Sequence, residues 1–343
     1  MSPGIEPDRT DVVGLLVARE PFIFWGPGRP GERVGAASTL APHVGDRRAY
    51  FLVRLAWNRE NVEGVAEDVA EFHALRARYP EHRHIMLCNS HRELELYRAQ
   101  GIPGILCSTL AFVDETRFDV SPPAEKEFDA VYTAALVPFK RHELCRDLAS
   151  VALIYHRYHP RSVQVENYPE GVRAMLPQAT FVNEIDGEYR FLEPEDVAHW
   201  VSRARVGLCL SEAEGAMRAA VEYMLCGLPV VSTPSIGGRD RILDPDFSRI
   251  VAPEPAAIAG AVRELAALSI DPRYIRSRTF ERLRPDRMRL LQLIATIHQE
   301  EGVAFPTDAP WHELFRRGTW PTASIADALT STAIAELPAG GRR

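Results

Sequence analysis

Short apolar runs recur in the first half of the chain, at residues 12–18, 21–25, 50–55, 84–88 and 104–107. Each is bounded by polar or turn-forming residues and is shorter than an ordinary helix, which predicts strands buried within a sheet. Between the later runs, apolar residues fall at helical spacing over 61–79 and 92–100, the second helix closed by Gly101 and Pro103. The alternation resumes with a strand at 128–133. It continues with a strand at 206–210, a short Ala-, Met- and Leu-rich helix over 217–226, and a strand over 228–233 that has Pro229 at its start. Strands alternating with helices predict an α/β architecture with parallel sheets. The Pro- and charge-rich stretch around 121–127 reads as a linker. It separates an N-terminal domain, 1–120, from a C-terminal domain, 128–303. Periodicity weakens after Ala304, where 304–343 is expected to be a C-terminal segment crossing back onto the first domain. Residues 308–315 would form its docking helix, and 337–343 would be frayed.

The richest stretch is 211–233. After the apolar strand the chain must turn, Gly215 supplies a permissive backbone, and Gly227 tolerates the left-handed conformation that closes a helix. A helix start leaves backbone N–H groups unpaired and carries partial positive charge, so Gly215, Ala216 and Met217 form a seat for a diphosphate. Glu214 stands at the mouth of that seat. Glu222 lies deeper among Ala219, Ala220, Val221, Met224 and Leu225, where a lone acid needs a partner or a ligand. An ionised carboxylate there accepts two hydrogen bonds at once, which fits the paired hydroxyls of a nucleotide ribose. The plainer reading has Glu222 exposed and paired with Arg218 one turn back, worth about 0.3–0.5 kcal/mol.

Glu214 and Glu222 with seven residues between them, followed by Met224, Gly227, Pro229, Val230 and Val231, resemble the E-x7-E signature of the family-4-type, group 1 retaining glycosyltransferases. The helix-like 192–204 and the strand and helix of 250–262 are similar to the elements flanking that signature, so the resemblance covers roughly residues 128–265. It implies the GT-B fold, two Rossmann-like domains facing each other across a cleft, the first on the acceptor side and the second binding the nucleotide sugar. It implies that Glu214 faces the transferred sugar and that Glu222 holds the ribose. The family's G-R-L-x-x-x-K turn matches 134–140, with Lys140 as diphosphate clamp but Ala135 where the arginine stands. Arg141 or Arg239 is expected to make good that missing charge.

Only two of the 40 basic residues, Lys126 and Lys140, are lysine. A compact ammonium in a chain that otherwise uses arginine suits a phosphate contact at Lys140. Lys126, in a Pro- and Glu-rich stretch, reads as a solvated surface residue. With 343 residues and 46% hydrophobic content the chain is long enough for two domains. A net charge of −7 argues against a nucleic-acid partner, which would require a basic face. No apolar run reaches the roughly 20 residues that span a bilayer, and residues 1–9 lack a secretory apolar region, so a cytoplasmic location without a transmembrane segment is expected. Five scattered cysteines read as small core residues, forming neither a disulfide ladder nor a zinc pattern.

A competing motif, G-x-G-x-x-G at Gly26, Gly28 and Gly31, follows the strand ending at Trp25 and would suit a nicotinamide or flavin oxidoreductase. The ribose-binding acid such a fold needs is out of place, because Asp46 precedes the next strand and Glu60 follows it too late. A loop lining the cleft, with Gly28 on the acceptor side, is the preferred reading. His91 follows a strand end and is a second acceptor-side candidate. His82, His84, His156 and His159 read as surface or capping groups, and Asp244 with Asp246 as a turn rather than a metal site. No metal and no cofactor are expected beyond the donor itself. The expected activity is transfer of a sugar from a nucleotide diphosphate sugar to an acceptor hydroxyl, with retention and without a metal. The acceptor would be a glycan, a lipid-linked molecule or a small molecule. The alternative is a degenerate GT-B protein that binds a nucleotide sugar or a partner without turnover.

Overall fold

The computed structural model describes residues 11–28, 32–121, 125–156, 167–305, 311–315 and 322–330. The chain forms two compact units, Met1–Phe112 with Pro285–Arg343, and Val113–Arg284. Gly31, His159 and the frayed tail expected over 337–343 lie outside the described residues.

The first unit contains β1 (Asp11–Val13), β2 (Leu15–Arg19), β3 (Phe22–Gly28), α1 (Ala37–Val44), β4 (Ala49–Leu55), α2 (Val62–Arg78), β5 (His82–Cys88), α3 (His91–Ala99) and β6 (Gly104–Leu106). Its main sheet has the order β2-β3-β4-β5-β6, with β3 to β6 parallel and β2 antiparallel to β3. All seven residues of β4 are buried, as both faces of the sheet are covered. On one face Leu40, Val65, Phe72 and Tyr97 of the three helices pack on Phe24, Phe51 and Met86. On the other, Trp25, Leu52 and Leu87 meet Phe112, Leu290, Ile294 and Leu314.

Three sequence expectations change here. The apolar run 12–18 splits at Gly14, where a side chain would meet Ala36 Cβ at 2.9 Å. Strand β3 continues past Trp25, so Gly26, Pro27 and Gly28 pair in parallel register with Val53, Arg54 and Leu55 instead of forming a loop. Strand β5 begins at His82, and His82 and His84 are buried at 2% exposure, not surface groups. Their rings stack on Tyr79 and Phe51, at 5.0 and 5.3 Å between centroids, which gives an aromatic core patch.

The second unit contains β7 (Phe128–Thr133), β8 (Val151–Ile154), α4 (Tyr168–Met175), β9 (Ala179–Phe181), the hairpin β10 (Glu184–Ile185) and β11 (Glu188–Tyr189), α5 (Pro194–Ser202), β12 (Ala204–Cys209), α6 (Arg218–Leu225), β13 (Val230–Ser232), β14 (Ser248–Ile250) and α7 (Pro255–Ala267). Helix α8 (Pro272–Glu300) starts in this unit and continues into the first at Pro285. The sheet order is β14-β13-β12-β7-β8-β9, every neighbouring pair parallel. The chain winds one way from β7 through β8 to β9 and the other way from β12 through β13 to β14. The winding therefore reverses between β7 and β12, and ligands of open parallel sheets bind outside the strand C-termini at such a point.

The last described elements, in the first unit, are α9 (Trp311–Leu314), β15 (Thr322–Ser324), which pairs antiparallel with β1, and α10 (Ile325–Thr330). Trp311 and Phe315 lie 5.2 and 5.1 Å from the Phe112 ring. Among the described residues no helix is long and apolar enough to cross a membrane.

Candidate active site

Lys140 is placed by the segment that leaves β7. A single helical turn, Pro138–Lys140, is held where Tyr132 donates its hydroxyl to the Lys140 carbonyl at 2.6 Å. Arg141 follows in the left-handed region at φ 54°. Its Nε donates to the Leu210 carbonyl and its Nη2 to Thr233 Oγ1, both at 2.7 Å. The guanidinium expected to face a diphosphate thus ties the ends of β12 and β13 to the Lys140 turn.

Glu214 is placed by the segment that leaves β12. Its N–H donates to the Ile236 carbonyl at 2.9 Å, Ile236 N–H to the Glu212 carbonyl at 3.0 Å, and Gly238 N–H to the Gly215 carbonyl at 3.0 Å. The 235–238 loop therefore runs along the Glu214 backbone like a short strand. Gly237, at φ +110°, permits this, since a Cβ there would lie 1.6 Å from the Glu214 carbonyl oxygen. Arg239 is fully buried and donates to the carbonyls of Ser211 and Thr233, bracing the same loop from beneath. It has no exposed surface to offer a ligand.

These two segments bring Lys140 and Glu214 together across the reversal between β7 and β12. The Lys140 ammonium forms an ion pair with Glu214 Oε1, and the Ser211 hydroxyl donates to the same oxygen at 2.6 Å. Both side chains are largely shielded, at 13% and 7% exposure. A charge pair so placed holds its geometry better than a solvated one.

Helix α6 begins immediately beyond, with Met217 at its N-cap, whose side chain makes no capping hydrogen bond. Gly215, Ala216 and Met217 thus lead into an uncapped helix start beside the Lys140–Glu214 pair. Glu222 is buried rather than exposed, and its nearest cation is Arg218, Nε to Oε1 at 4.0 Å. Burial raises its carboxyl above the usual glutamate range, and Arg218 opposes that shift. The helix is locked onto β12 because the Tyr223 ring fills the space that a Cβ on Gly207 would occupy, 2.2 Å away. Tyr223 also accepts a hydrogen bond from Thr133 N–H at 2.5 Å, joining α6 to the end of β7.

Several participants were either not singled out from the sequence, as Ser211, Gly237 and His142, or were given another role, as Arg239 and His156. Ser211, Gly237 and Arg239 position Glu214, and the adjacent pair Gly237 and Gly238 was the only local signal for that loop. His156 follows β8, and its imidazole is held below its usual range, first by desolvation and then by the charges of Lys140 and Arg218. His142 is buried against Tyr132, and burial lowers it to about 3, with Lys140 adding to the shift.

Other candidates lie elsewhere. Gly28 is the buried last residue of β3, where a Cβ would sit 2.5 Å from the Arg33 carbonyl oxygen, so close backbone packing accounts for it. His91 is the exposed first residue of α3, behind the Ser90 cap. Lys126 donates to the carbonyl of Ser202, the last residue of α5, at 2.7 Å. Asp244 forms a turn with Asp246 N–H and takes Arg278 and Arg282 at 3.1 and 3.0 Å, which anchors the start of α8. All five cysteines are free and buried. Among the described residues no group of three His, Cys, Asp or Glu side chains is arranged to hold a metal ion.

The sequence profile of the glycosyl transferases group 1 family matches residues 146–267, which include Glu214 and Glu222 and stop short of Lys140. A search of curated protein sequences finds no match. Among solved structures, HepE from Anabaena in complex with UDP aligns with a TM-score of 0.56 at 14% identity, covering 77% of this chain and 76% of that one. HepE in complex with UDP-glucose aligns at 0.52 and 14% identity, over 73% of this chain and 72% of that one. Sucrose-phosphate synthase from Thermosynechococcus elongatus aligns at 0.50 and 14% identity, over 79% and 93%. The chain has the GT-B architecture of two Rossmann-like domains and resembles the group 1 glycosyltransferases.

Proposed function

We propose that this chain is a retaining glycosyltransferase. It would move a sugar from a nucleoside diphosphate sugar to an acceptor hydroxyl, with protein cations rather than a metal balancing the diphosphate. The observation that carries the proposal is the meeting of the Lys140 ammonium and the Glu214 carboxylate where the strand order reverses, beside an uncapped helix start. The N–H groups of Gly215, Ala216 and Met217 and the Lys140 ammonium would take the diphosphate, Glu222 the ribose hydroxyls, and Glu214 the sugar. As the bond from the anomeric carbon to the diphosphate oxygen breaks, its electron pair passes to that oxygen, where Lys140 and the helix start stabilise it. The acceptor oxygen attacks from the same face, and its proton passes to the departing phosphate oxygen. HepE is seen with UDP-glucose, which makes that sugar nucleotide the first donor to assay.

Glu222→Ala should raise the donor KM by roughly tenfold or more with a smaller change in kcat, as expected for a lost charge-assisted hydrogen bond. Lys140→Ala should lower kcat by roughly 100-fold or more. Melting temperatures identify a variant that has merely lost its fold. Wild-type kinetics in both folded variants would refute the assignment.

A second reading keeps the fold and omits the chemistry. Ala135, buried at 6%, stands where the resemblance places an arginine, and that motivates a protein that binds a nucleotide sugar without turning it over. Calorimetry with UDP- and GDP-sugars, paired with an assay for slow donor hydrolysis, separates the two readings, since a pure binder gives heat and no product.

A further inference from the structure

We propose that the first unit carries a second ligand site, a cavity beside the N-terminal half of β5 that takes a small aromatic carboxylic acid. It stands independently of the donor reading, because its lining residues belong to the first unit and Lys140 and Glu214 to the second. The cavity has a volume of about 630 Å³, within the range of small-molecule sites. Substrates of open α/β sheets collect at the strand C-termini, so this place at a strand start is not the mouth of its own sheet. The cavity arises from the sequence of β5 and β6. Met86 N–H donates to the Pro103 carbonyl and Cys107 N–H to the Cys88 carbonyl, at 2.9 and 3.0 Å, so the even-numbered residues of β5 turn their backbone groups toward β6. One step further along, the ladder would require residue 103 to donate to the His84 carbonyl, and Pro103 has no N–H. Strand β6 therefore begins opposite Met86. His82–Ile85 has β4 on one side and, among the described residues, no strand on the other, and those four residues and Pro103 line the cavity.

The remaining walls are largely apolar, with Phe72 of α2 from one face of the sheet and Leu293 and Ile297 of α8 from the other. His84 is 2% exposed, stacks on Phe51 at 5.3 Å between centroids, and has no hydrogen-bond partner at Nε2. Burial, and then the charges of His82 and Arg83, lower its imidazole to about 4, so at neutral pH the ring is uncharged. A buried polar atom without a partner is costly, and a ligand that supplies one removes the penalty. The charged lining residues are Arg76, Arg83 and Glu300. Arg76 is exposed and enters no hydrogen bond or ion pair among the described residues. Arg83 gives its Nη1 to the carbonyls of Pro80 and His82, at 2.6 and 3.3 Å. The neighbouring Glu301 is held by Tyr50 and Arg48, at 2.6 and 3.2 Å. Two guanidinium groups against one carboxylate favour an anion, and a carboxylate can take two parallel hydrogen bonds from Arg76. The Phe72 and His84 rings favour an aromatic body behind it.

The test measures binding of cinnamate and its uncharged analogue cinnamyl alcohol to the full chain, by ligand-observed NMR and calorimetry. Wild type should bind cinnamate saturably at a single site, and UDP should not displace it. Arg76→Gln should weaken cinnamate roughly tenfold and leave the alcohol within about twofold of wild type. Thr296→Trp, which sets a bulky ring in the cavity, should abolish binding of both, with melting curves showing that the variant is folded. Absence of saturable cinnamate binding to folded wild type would overturn the proposal, as would displacement by UDP. Cinnamate affinity within about twofold of wild type in either folded variant would overturn it too.

Discussion

Burying a carboxylate is costly unless it finds partners, and this chain does so in three ways. Glu214 is met by an ammonium and a hydroxyl, and Glu222 by a guanidinium at 4.0 Å. Glu93 in α3 has no exposed surface and accepts from the N–H groups of Asn89 and Arg59 at 2.6 and 2.9 Å. Burial outweighs those hydrogen bonds and pushes Glu93 up to about 7. A carboxyl raised in the folded state favours folding while it is protonated. Its contribution is complete below the ordinary glutamate range and disappears as the pH climbs through about 7. A shift of this size corresponds to about 3 kcal/mol. Wild type should therefore lose thermal stability between roughly pH 4.5 and 7 relative to Glu93→Gln, in which this titration is absent. Melting curves that run parallel across that range would show that the group does not titrate there.

At the level of elements, many strands and helices of both units were legible because each signals itself locally. The run 128–133 coincides with β7, the helices predicted over 61–79 and 92–100 are α2 and α3, and 217–226 contains α6. The misread places depend on neighbours distant in sequence. The run 12–18 splits because β1 pairs with β15 while β2 pairs with β3, and β3 extends to Gly28 because Val53, Arg54 and Leu55 pair with it. Periodicity records which side chains are buried and carries nothing about such approaches. The same division holds at the site. Glu214, Glu222 and the helix start lie in one short stretch, whereas Arg239 and Gly237 act on backbone more than twenty residues earlier. Gly237→Ala tests that dependence. The new Cβ would overlap the Glu214 carbonyl oxygen in a backbone conformation that disfavours side chains, so the loop must move, at about 1–3 kcal/mol. Stability and donor affinity should fall together. Gly171→Ala in α4 is the control, since its Cβ meets nothing within 4 Å and the change should stabilise the chain by about 0.5–1 kcal/mol. Unchanged donor binding in Gly237→Ala would mean that the loop does not set the Glu214 position.

At the scale of the whole molecule, the division of the chain makes the donor site separable. The unit Val113–Arg284 is continuous in sequence, while the other is assembled from Met1–Phe112 and Pro285–Arg343. Lys140, Glu214, Arg218, Glu222 and the loop that braces them all lie in the continuous unit. It also keeps the first part of α8, where Arg276 donates to the carbonyls of Glu115, Phe118 and Leu225, and Arg278 and Arg282 hold Asp244. The boundary falls at Pro285, which lacks the N–H that would continue the helical ladder, so a cut there removes fewer backbone hydrogen bonds than a cut elsewhere in α8. At 172 residues from Val113 to Arg284, the excised segment is within the ordinary size range of an independent domain. Expressed alone, it should unfold cooperatively on heating and bind the nucleoside diphosphate within roughly threefold of the full chain, a difference of about 0.6 kcal/mol. A folded segment that binds no nucleotide, alongside a full chain that does, would place an essential donor contact in the first unit and overturn the assignment of the site to these residues.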